Sequence, residues 1–292
     1  MQVYLKLLRV SSWVKNTLLF APLVFSMNLL HVEYYGKLFT AFICFSLLSS
    51  CIYIINDIKD INADQLHPRK KHRPLPSKKI SVGNAILIAI LCFTISFILA
   101  AWVNQLYFIW VLIGYFTLNI AYIFKLKYIN LLDCFSIATG FVLRVLAGCY
   151  AIEVVPSDWI VVVSFFLALF LAFGKRKSEL ILLDKSAGKH REVLSSYTKE
   201  TLDIYIYICA VICISSYLIY TLTSETIPEH LHSYLKYSAV FVVFGIFRYI
   251  RLIHAKQETD GDPTVMFYTD RALQITILGW IIFVVLIFYL HG

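Results

Sequence analysis

Long apolar runs alternate with short polar connections along almost the whole chain. A run of about 18 or more apolar residues can cross a bilayer as an α-helix. The pattern predicts nine such spans, at 17–32, 36–56, 80–103, 106–124, 131–151, 157–174, 202–222, 234–252 and 272–290. Because Pro22 interrupts the first and shortest run, a broken helix is the alternative there. The predicted fold class is all-α, a polytopic membrane protein forming a single transmembrane domain over residues 1–292.

The composition agrees with this prediction. The chain is 60% hydrophobic and only 15% charged, with a mean hydropathy of +0.75, which is not typical of a soluble protein of 292 residues. All seven cysteines lie in predicted spans without the spacing of metal ligands, so they are interpreted as packing residues. The first residues lack the long apolar core and cleavage site of a signal peptide.

Lysine and arginine residues concentrate in alternate connections between the predicted spans. By the positive-inside rule, these connections are cytoplasmic, which places the N-terminus in the cytoplasm and the C-terminus outside. The net charge of +8 is therefore explained by topology and by attraction to anionic lipid head groups. No nucleic-acid partner is needed to account for it.

The densest cluster of acids ends the second predicted span. Asn56 and Asp57 are followed by Asp60 and Asp64, and the three acids share one face if the helix continues through them. Like charges on one face repel, so the arrangement needs a cation. Oxygen-only ligands suit Mg²⁺, which binds through a few carboxylates and substrate phosphates. We expect these three acids to bind the metal; the simpler alternative is a solvated helix end beside a basic loop.

Several basic and polar side chains, most of them near an end of a predicted span, are candidates for phosphate binding. They are Lys15, Asn16, Arg73, Tyr122, Lys125, Lys127, Arg144, Lys175 and Arg176. An arginine offers a planar fork that suits phosphate. For most of the set the alternative is a topological role, as interface anchors or snorkelling lysines. The sequence does not decide which of Lys125 and Lys127 faces the site.

Arg144 is unusual because it lies inside a predicted span. A charged residue in a span normally faces the bundle interior and has a partner. We expect Arg144 to face a polar cavity, and a structural ion pair with Asp133 or Glu153 is the alternative. Asp133 is three helical turns away on the same face, too far for direct contact within one helix.

The acids after the sixth predicted span do not repeat the first cluster. Glu179, Asp184, Glu192, Glu200 and Asp203 never give an Asp-x-x-x-Asp spacing. The cations Lys175 and Arg176 stand at that position instead.

These motifs resemble those of the UbiA superfamily of intramembrane transferases. Asn56-Asp57-x-x-Asp60-x-x-x-Asp64 looks like the first Asp-rich motif of that superfamily. Further matching stretches are Trp13-Val-Lys15-Asn16, His67-Pro68, Arg73-Pro74, Tyr122-x-x-x-Leu126-Lys127, Arg144-x-x-Ala147-Gly148, Gly174-Lys175-Arg176-x-x-Glu179, Ser196-Tyr197, Arg248-Tyr249 and Asp270-Arg271. The resemblance implies nine helices around a cytoplasm-facing polar cavity. Prenyl-transferring members usually carry a second Asp-rich motif, and its absence here favours a phosphoribosyl-transferring branch.

The resemblance implies an Mg²⁺-dependent enzyme that transfers 5-phosphoribosyl from 5-phosphoribosyl-1-diphosphate to a polyprenyl phosphate. The products would be polyprenyl-phosphoryl-5-phosphoribose and diphosphate. Asp57, Asp60 and Asn56 would be catalytic, and the basic and polar set would bind substrate. Such an enzyme would reside in the bacterial inner membrane and serve cell-envelope biosynthesis; assembly into a homo-oligomer stays open.

Two other functions fit parts of the sequence. A prenyltransferase acting on an aromatic acceptor has the same fold, but it would want the second acid cluster. A transporter or lipid-binding protein would place its acids near the middle of the bilayer in paired, interrupted helices. Here the acids end a span, and the two halves of the chain show no repeat.

Overall fold

The computed structural model describes residues 2–66, 70–183, 192–255 and 263–290. All regular elements in these ranges are helical, and eight helical segments are long and apolar enough to cross a membrane. The prediction of an all-α polytopic membrane protein is therefore confirmed. The count of nine spans stays a prediction.

The helices follow the predicted apolar runs closely. The α-helices are α1 (Gln2–Leu7), α2 (Ala21–Phe25), α3 (Glu33–Lys59), α4 (Ile61–Leu66), α5 (Val82–Val103), α6 (Leu106–Phe124), α7 (Leu132–Ala151), α8 (Asp158–Leu183), α9 (Lys199–Thr223), α10 (Glu229–Leu235), α11 (Ala239–His254), α12 (Pro263–Thr269) and α13 (Arg271–Leu290). Short 3₁₀ helices lie at Val10–Phe20, Lys70–His72, Leu126–Tyr128, Glu192–Ser196 and Lys236–Ser238.

The first predicted span, 17–32, is not a continuous helix. A 3₁₀ segment, Val10–Phe20, leads into the short helix α2, and turns follow from residue 26. Pro22 lies in the first turn of α2, where proline is tolerated. Inside a longer helix it would lack a backbone hydrogen bond and clash with the preceding turn. The broken helix that was the alternative for this run is therefore what the structure shows, with Pro22 three residues before the break.

The chain forms two compact units, and helix α7 contributes to both. The first unit comprises the described residues of 1–23, 28–124 and 143–155. Its core packs α3 against α5, α6 and the 3₁₀ segment, with Leu19, Phe45 and Leu112 fully buried. Since lipid tails are as apolar as these side chains, close van der Waals packing rather than removal of apolar surface from water holds such helices together.

Gly148 on α7 allows the backbone of the 3₁₀ segment to approach closely. A Cβ atom at position 148 would lie 2.1 Å from the carbonyl oxygen of Leu19. Because this contact is with backbone, we expect Gly148→Ala to destabilise the protein by about 1–3 kcal/mol. Gly114→Ala is the matched control, since a Cβ there meets nothing within 4 Å. Thermal unfolding in detergent compares the two, and equal midpoints would contradict the close approach.

The second unit comprises the described residues of 24–27, 125–142 and 156–292. Helix α8 packs against α9 and α11 around a core that includes Phe170, Ile206 and Tyr249. Helix α8 continues to Leu183, beyond the predicted end at residue 174, since the polar residues that follow are good helix formers. That the chain is one domain stays a prediction.

Candidate active site

The acid cluster lies in the first unit, at a break between two helices. Helix α3 ends at Lys59, Asp60 caps it with φ −94° and ψ 8°, and α4 begins at Ile61. The prediction that Asp57, Asp60 and Asp64 share the face of one continuous helix is therefore wrong. The short helix α4 redirects the chain, and Asp64 reaches the others across this bend.

Asp57 and Asp64 converge despite the break. Both are buried, with 2% and 3% of their surface exposed. One guanidinium nitrogen of Arg73, Nη1, lies 3.1 Å from Asp57 Oδ1 and 2.6 Å from Asp64 Oδ2. Arg9 also donates a hydrogen bond to Asp57 Oδ1, and Lys70 Nζ lies 3.9 Å from Asp64 Oδ1. The two carboxylates therefore face one common cation position.

Arginine side chains meet much of the charge requirement that the sequence assigned to a metal. Buried carboxylates need a cationic partner, and Arg9 and Arg73 supply it. Among the described residues no three His, Cys, Asp or Glu side chains come close enough to hold a metal by themselves. Two converging carboxylates, Asp57 and Asp64, nevertheless fit Mg²⁺, which needs only one or two when phosphates and waters complete its shell.

Arg9 contacts the acid cluster, although the sequence did not predict it as a residue of the site. It immediately precedes the 3₁₀ segment with a positive φ of 49°, and its guanidinium also lies 4.8 Å from the centre of the Tyr53 ring. Forty-eight residues separate Arg9 from Asp57. Trp13, four residues later, is typical of a membrane interface, where an arginine can also serve as an anchor.

Arg144 is buried in a polar network of the same unit. Its Nε donates to Asn16 Oδ1 at 2.8 Å, and its Nη2 donates to the hydroxyl of Tyr115 at 2.6 Å. Asn16 donates onward to Ser46 Oγ at 3.0 Å. The alternative prediction of an ion pair between Arg144 and Glu153 is wrong, since the Glu153 carboxylate bonds with Lys37 and Gln105. Nothing in the sequence pointed to Tyr115 as a partner.

The remaining candidates of the first unit are half-buried. They are Lys15, Asn56, Asp60 and Tyr122. The backbone carbonyl of Asn56 accepts the N–H of Asp60 and so closes the last turn of α3. Trp13, beside Lys15, donates from Nε1 to Ser50 Oγ at 3.0 Å, which fixes the 3₁₀ segment against α3. His67 and Pro68 of the matched motif lie outside the described residues.

A second group of charges lies in the second unit, on α8. Arg176 is 1% exposed; its Nε lies 2.9 Å from Asp133 Oδ2, and its Nη1 bonds with Glu179. Lys177 bonds with Asp203 and approaches His254 Nε2 at 2.6 Å. Two of the acids that follow the sixth predicted span, Glu179 and Asp203, therefore partner cations of α8.

The other candidates of the second unit differ in exposure. Lys125 is exposed, whereas Lys127 and Lys175 are half-buried, and Lys127 Nζ lies 5.3 Å from the centre of the Tyr128 ring. Asp270 accepts from Arg248 at 2.7 Å and from the N–H of Leu273. The Arg248 guanidinium and the helix N–H hold the pKa of Asp270 below its usual value. Asp184 lies outside the described residues.

These features define a class: helical membrane proteins in which buried aspartates end a span beside arginines. A model of the UbiA prenyltransferase family matches residues 17–270, and the chain belongs to this family. The resemblance drawn from the motifs is confirmed, and so is the expectation of a transferase. Membership argues against the transporter alternative.

Characterised relatives cover almost the whole chain. It is 31% identical over 287 residues to a decaprenyl-phosphate phosphoribosyltransferase of Mycolicibacterium smegmatis. That alignment spans 95% of this chain and 89% of the relative. The corresponding protein of Corynebacterium glutamicum is 29% identical over 289 residues, spanning 98% and 86%. A UbiA homologue from Archaeoglobus fulgidus, solved with GPP and Mg²⁺, superposes with a TM-score of 0.70 at 20% identity, covering 98% and 99%. At that identity the superposition shows the fold alone.

Proposed function

We propose that this protein transfers 5-phosphoribosyl from 5-phosphoribosyl-1-diphosphate to a polyprenyl phosphate in the bacterial inner membrane. The observation that carries the proposal is the match to phosphoribosyltransferases over 95% of the chain. The positive-inside pattern supports a cytoplasmic N-terminus and an outside C-terminus. The donor is then a cytosolic polyanion, drawn to the basic connections on that side.

Asp57 and Asp64 are the residues proposed to hold Mg²⁺, with Asp60 beside them. Bound Mg²⁺ would neutralise charge that develops on the departing diphosphate. Arg9 and Arg73 already contact these carboxylates, so their guanidinium groups would lie within reach of the diphosphate oxygens. Asn56 would orient the donor from the last turn of α3.

The chemistry needs little from a general base. An oxygen of the lipid phosphate forms the new bond to C1 of the ribose while the bond from C1 to diphosphate breaks, and the diphosphate leaves with the electron pair. Since the acceptor is already an anion, no proton has to be removed from it. Catalysis is then positioning of the two substrates and stabilisation of charge by the cations around them.

The donor carries a second phosphate at C5, which distinguishes it from an isoprenyl diphosphate. Lys15, Lys125, Lys127 and Lys175 are proposed to bind its phosphates. Glu179 and Asp203, which follow Lys175, form ion pairs with cations of α8. This pairing supports a donor that does not need a second acid motif for a second metal ion.

The test supplies purified protein with ¹⁴C-labelled 5-phosphoribosyl-1-diphosphate, Mg²⁺ and polyprenyl phosphates of several lengths. We expect a labelled lipid product whose mass equals the acceptor plus one phosphoribosyl group, formed with an equal amount of diphosphate. Thermal stabilisation by the donor with Mg²⁺ should accompany it, and reach about 2.7 kcal/mol at a hundred times the Kd.

Isoprenyl diphosphates provide the opposing experiment. We expect them to stabilise the protein much less at the same concentration. If geranyl or longer diphosphates stabilise it and are consumed with an aromatic acceptor, while the phosphoribosyl donor is inert, the chain is a prenyltransferase and the proposal fails.

A further inference from the structure

Two connections of the second unit are joined by one tyrosine hydroxyl. Tyr197 follows the 3₁₀ helix Glu192–Ser196, and its hydroxyl accepts the N–H of Leu131 at 2.9 Å. The same hydroxyl donates to Asp133 Oδ1 at 2.7 Å. Asn130 Nδ2 also donates to the carbonyl of Ser196 at 3.3 Å. The segment before α9 is therefore fastened to the segment that enters α7.

The backbone at this junction is in a conformation that needs support. Leu131 has a φ of 66°, in the left-handed region that a branched side chain rarely adopts. Its side chain packs against the core of the second unit, so the leucine is held from one side by packing. The hydroxyl of Tyr197 holds it from the other side by accepting its N–H.

Buried charge fixes the tyrosine in turn. Asp133 is 0% exposed and lies against Arg176, which also bonds with Glu179. Burial raises the pKa of Tyr197, and the neighbouring Asp133 carboxylate acts in the same direction. The hydroxyl therefore keeps its proton and donates a hydrogen bond to Asp133.

The connection that Tyr197 holds carries two of the candidate phosphate-binding lysines. Lys125 precedes and Lys127 lies within the 3₁₀ turn Leu126–Tyr128, whose last hydrogen bond runs from the N–H of Ile129 to the carbonyl of Leu126. Leu131 comes two residues after that bond, immediately before α7 begins. The carbonyl of Leu131 also accepts the N–H groups of Cys134 and Phe135 in the first turn of α7. The backbone of Leu131 therefore links α7 to the turn that carries the two lysines, and a change in its conformation is expected to reorient that turn.

We infer that Tyr197 is a positioning residue, whose hydroxyl, fixed by Asp133 and Arg176, holds Lys125 and Lys127 in the geometry that binds the phosphates of the donor. This inference rests on the proposed function. It also gives Arg176 a different role from the one predicted from the sequence, since its guanidinium acts on the donor only through Asp133 and Tyr197.

The test is Tyr197→Phe, which keeps the ring and removes the hydroxyl. Loss of a neutral hydrogen bond, such as the one that the Leu131 N–H donates to Tyr197, typically corresponds to about a fivefold change. We therefore expect the KM for 5-phosphoribosyl-1-diphosphate to rise roughly three- to tenfold, with kcat and the KM for the lipid within about twofold. Hydrogen–deuterium exchange without substrates should show faster exchange of the Leu131 amide. Tyr205→Phe is the control, because its hydroxyl makes no hydrogen bond to the described residues and lies on the neighbouring helix α9.

The outcomes separate this inference from the function on which it rests. Faster Leu131 exchange together with a raised donor KM supports the positioning role. Faster exchange with an unchanged donor KM reduces Tyr197 to a structural residue, and unchanged exchange overturns the contact itself; both refute the inference while the proposed function stands. If the unmodified protein does not turn over the phosphoribosyl donor at all, the proposed function fails first and the inference fails with it.

Discussion

Asp57→Asn is expected to lower kcat by at least about a hundredfold, which is the scale seen when one electrostatic group is removed from a preorganised site. Asparagine has nearly the shape of aspartate and can still accept hydrogen bonds from Arg9 and Arg73, so the protein should stay folded in detergent. What the variant lacks is the negative charge that would hold Mg²⁺ and set the position of the two arginines. Initial rates at saturating donor and lipid measure the effect, and size-exclusion chromatography checks the fold.

A matched control and a metal titration make this prediction specific. Asp158→Asn carries the same chemical change on an exposed residue at the start of α8, and we expect it to leave kcat within about twofold because no candidate site residue is near it in sequence. Excess chelator should abolish activity of the unmodified protein, and added Mg²⁺ should restore it. Full activity in chelator, or an Asp57→Asn enzyme as fast as the unmodified one, would remove the metal from the acid cluster.

Residue spacing predicted the acid cluster but not its geometry. Asp57 and Asp64 were expected on one face, and they do converge, yet α3 ends at Lys59 and α4 begins only at Ile61. A helix end depends on which backbone groups find other partners, and here the bend lets Arg73 reach both carboxylates. Periodicity carries no information about that arginine, which approaches from a separate turn.

Contacts between residues far apart in the chain were the second feature that the sequence could not predict. Apolar runs fix where helices lie along the chain, because their length must match the bilayer. They do not fix which helix faces which, so neither the contact from Arg9 to Asp57 nor the one from Arg144 to Tyr115 could be inferred. Both pairs join segments far apart in sequence.

Three consecutive cations on α8 show that the sequence also fails to predict which residues of a single helix turn face the interior. Lys175, Arg176 and Lys177 are indistinguishable as topology signals, and the sequence made the first two phosphate-binding candidates. In the fold Arg176 is buried with Asp133, whereas Lys175 is half-buried. Their roles separate only because successive helix positions point in different directions, and packing decides which direction is the interior.

Arg176→Ala is therefore expected to destabilise the protein by about 3–5 kcal/mol, since removing one partner of a buried ion pair leaves the other charge uncompensated. The carboxylate left behind is Asp133, which is 0% exposed. Titration with SDS in mixed micelles would measure the free energy of unfolding. Arg251→Ala, an exposed arginine on α11, is the control and should change it by less than about 0.5 kcal/mol.

The same variant also discriminates between the two roles assigned to this arginine. A guanidinium that binds the donor directly would leave stability almost unchanged when removed and would raise the donor KM roughly ten- to a hundredfold. A buried partner that positions Tyr197 gives the reverse pattern. Stability falls strongly, and the donor KM rises no more than it does when the Tyr197 hydroxyl is removed. If Arg176→Ala is as stable as the unmodified protein, Arg176 returns to the phosphate-binding set. A positioning role through Asp133 requires that the buried carboxylate, left without its partner, destabilises the protein.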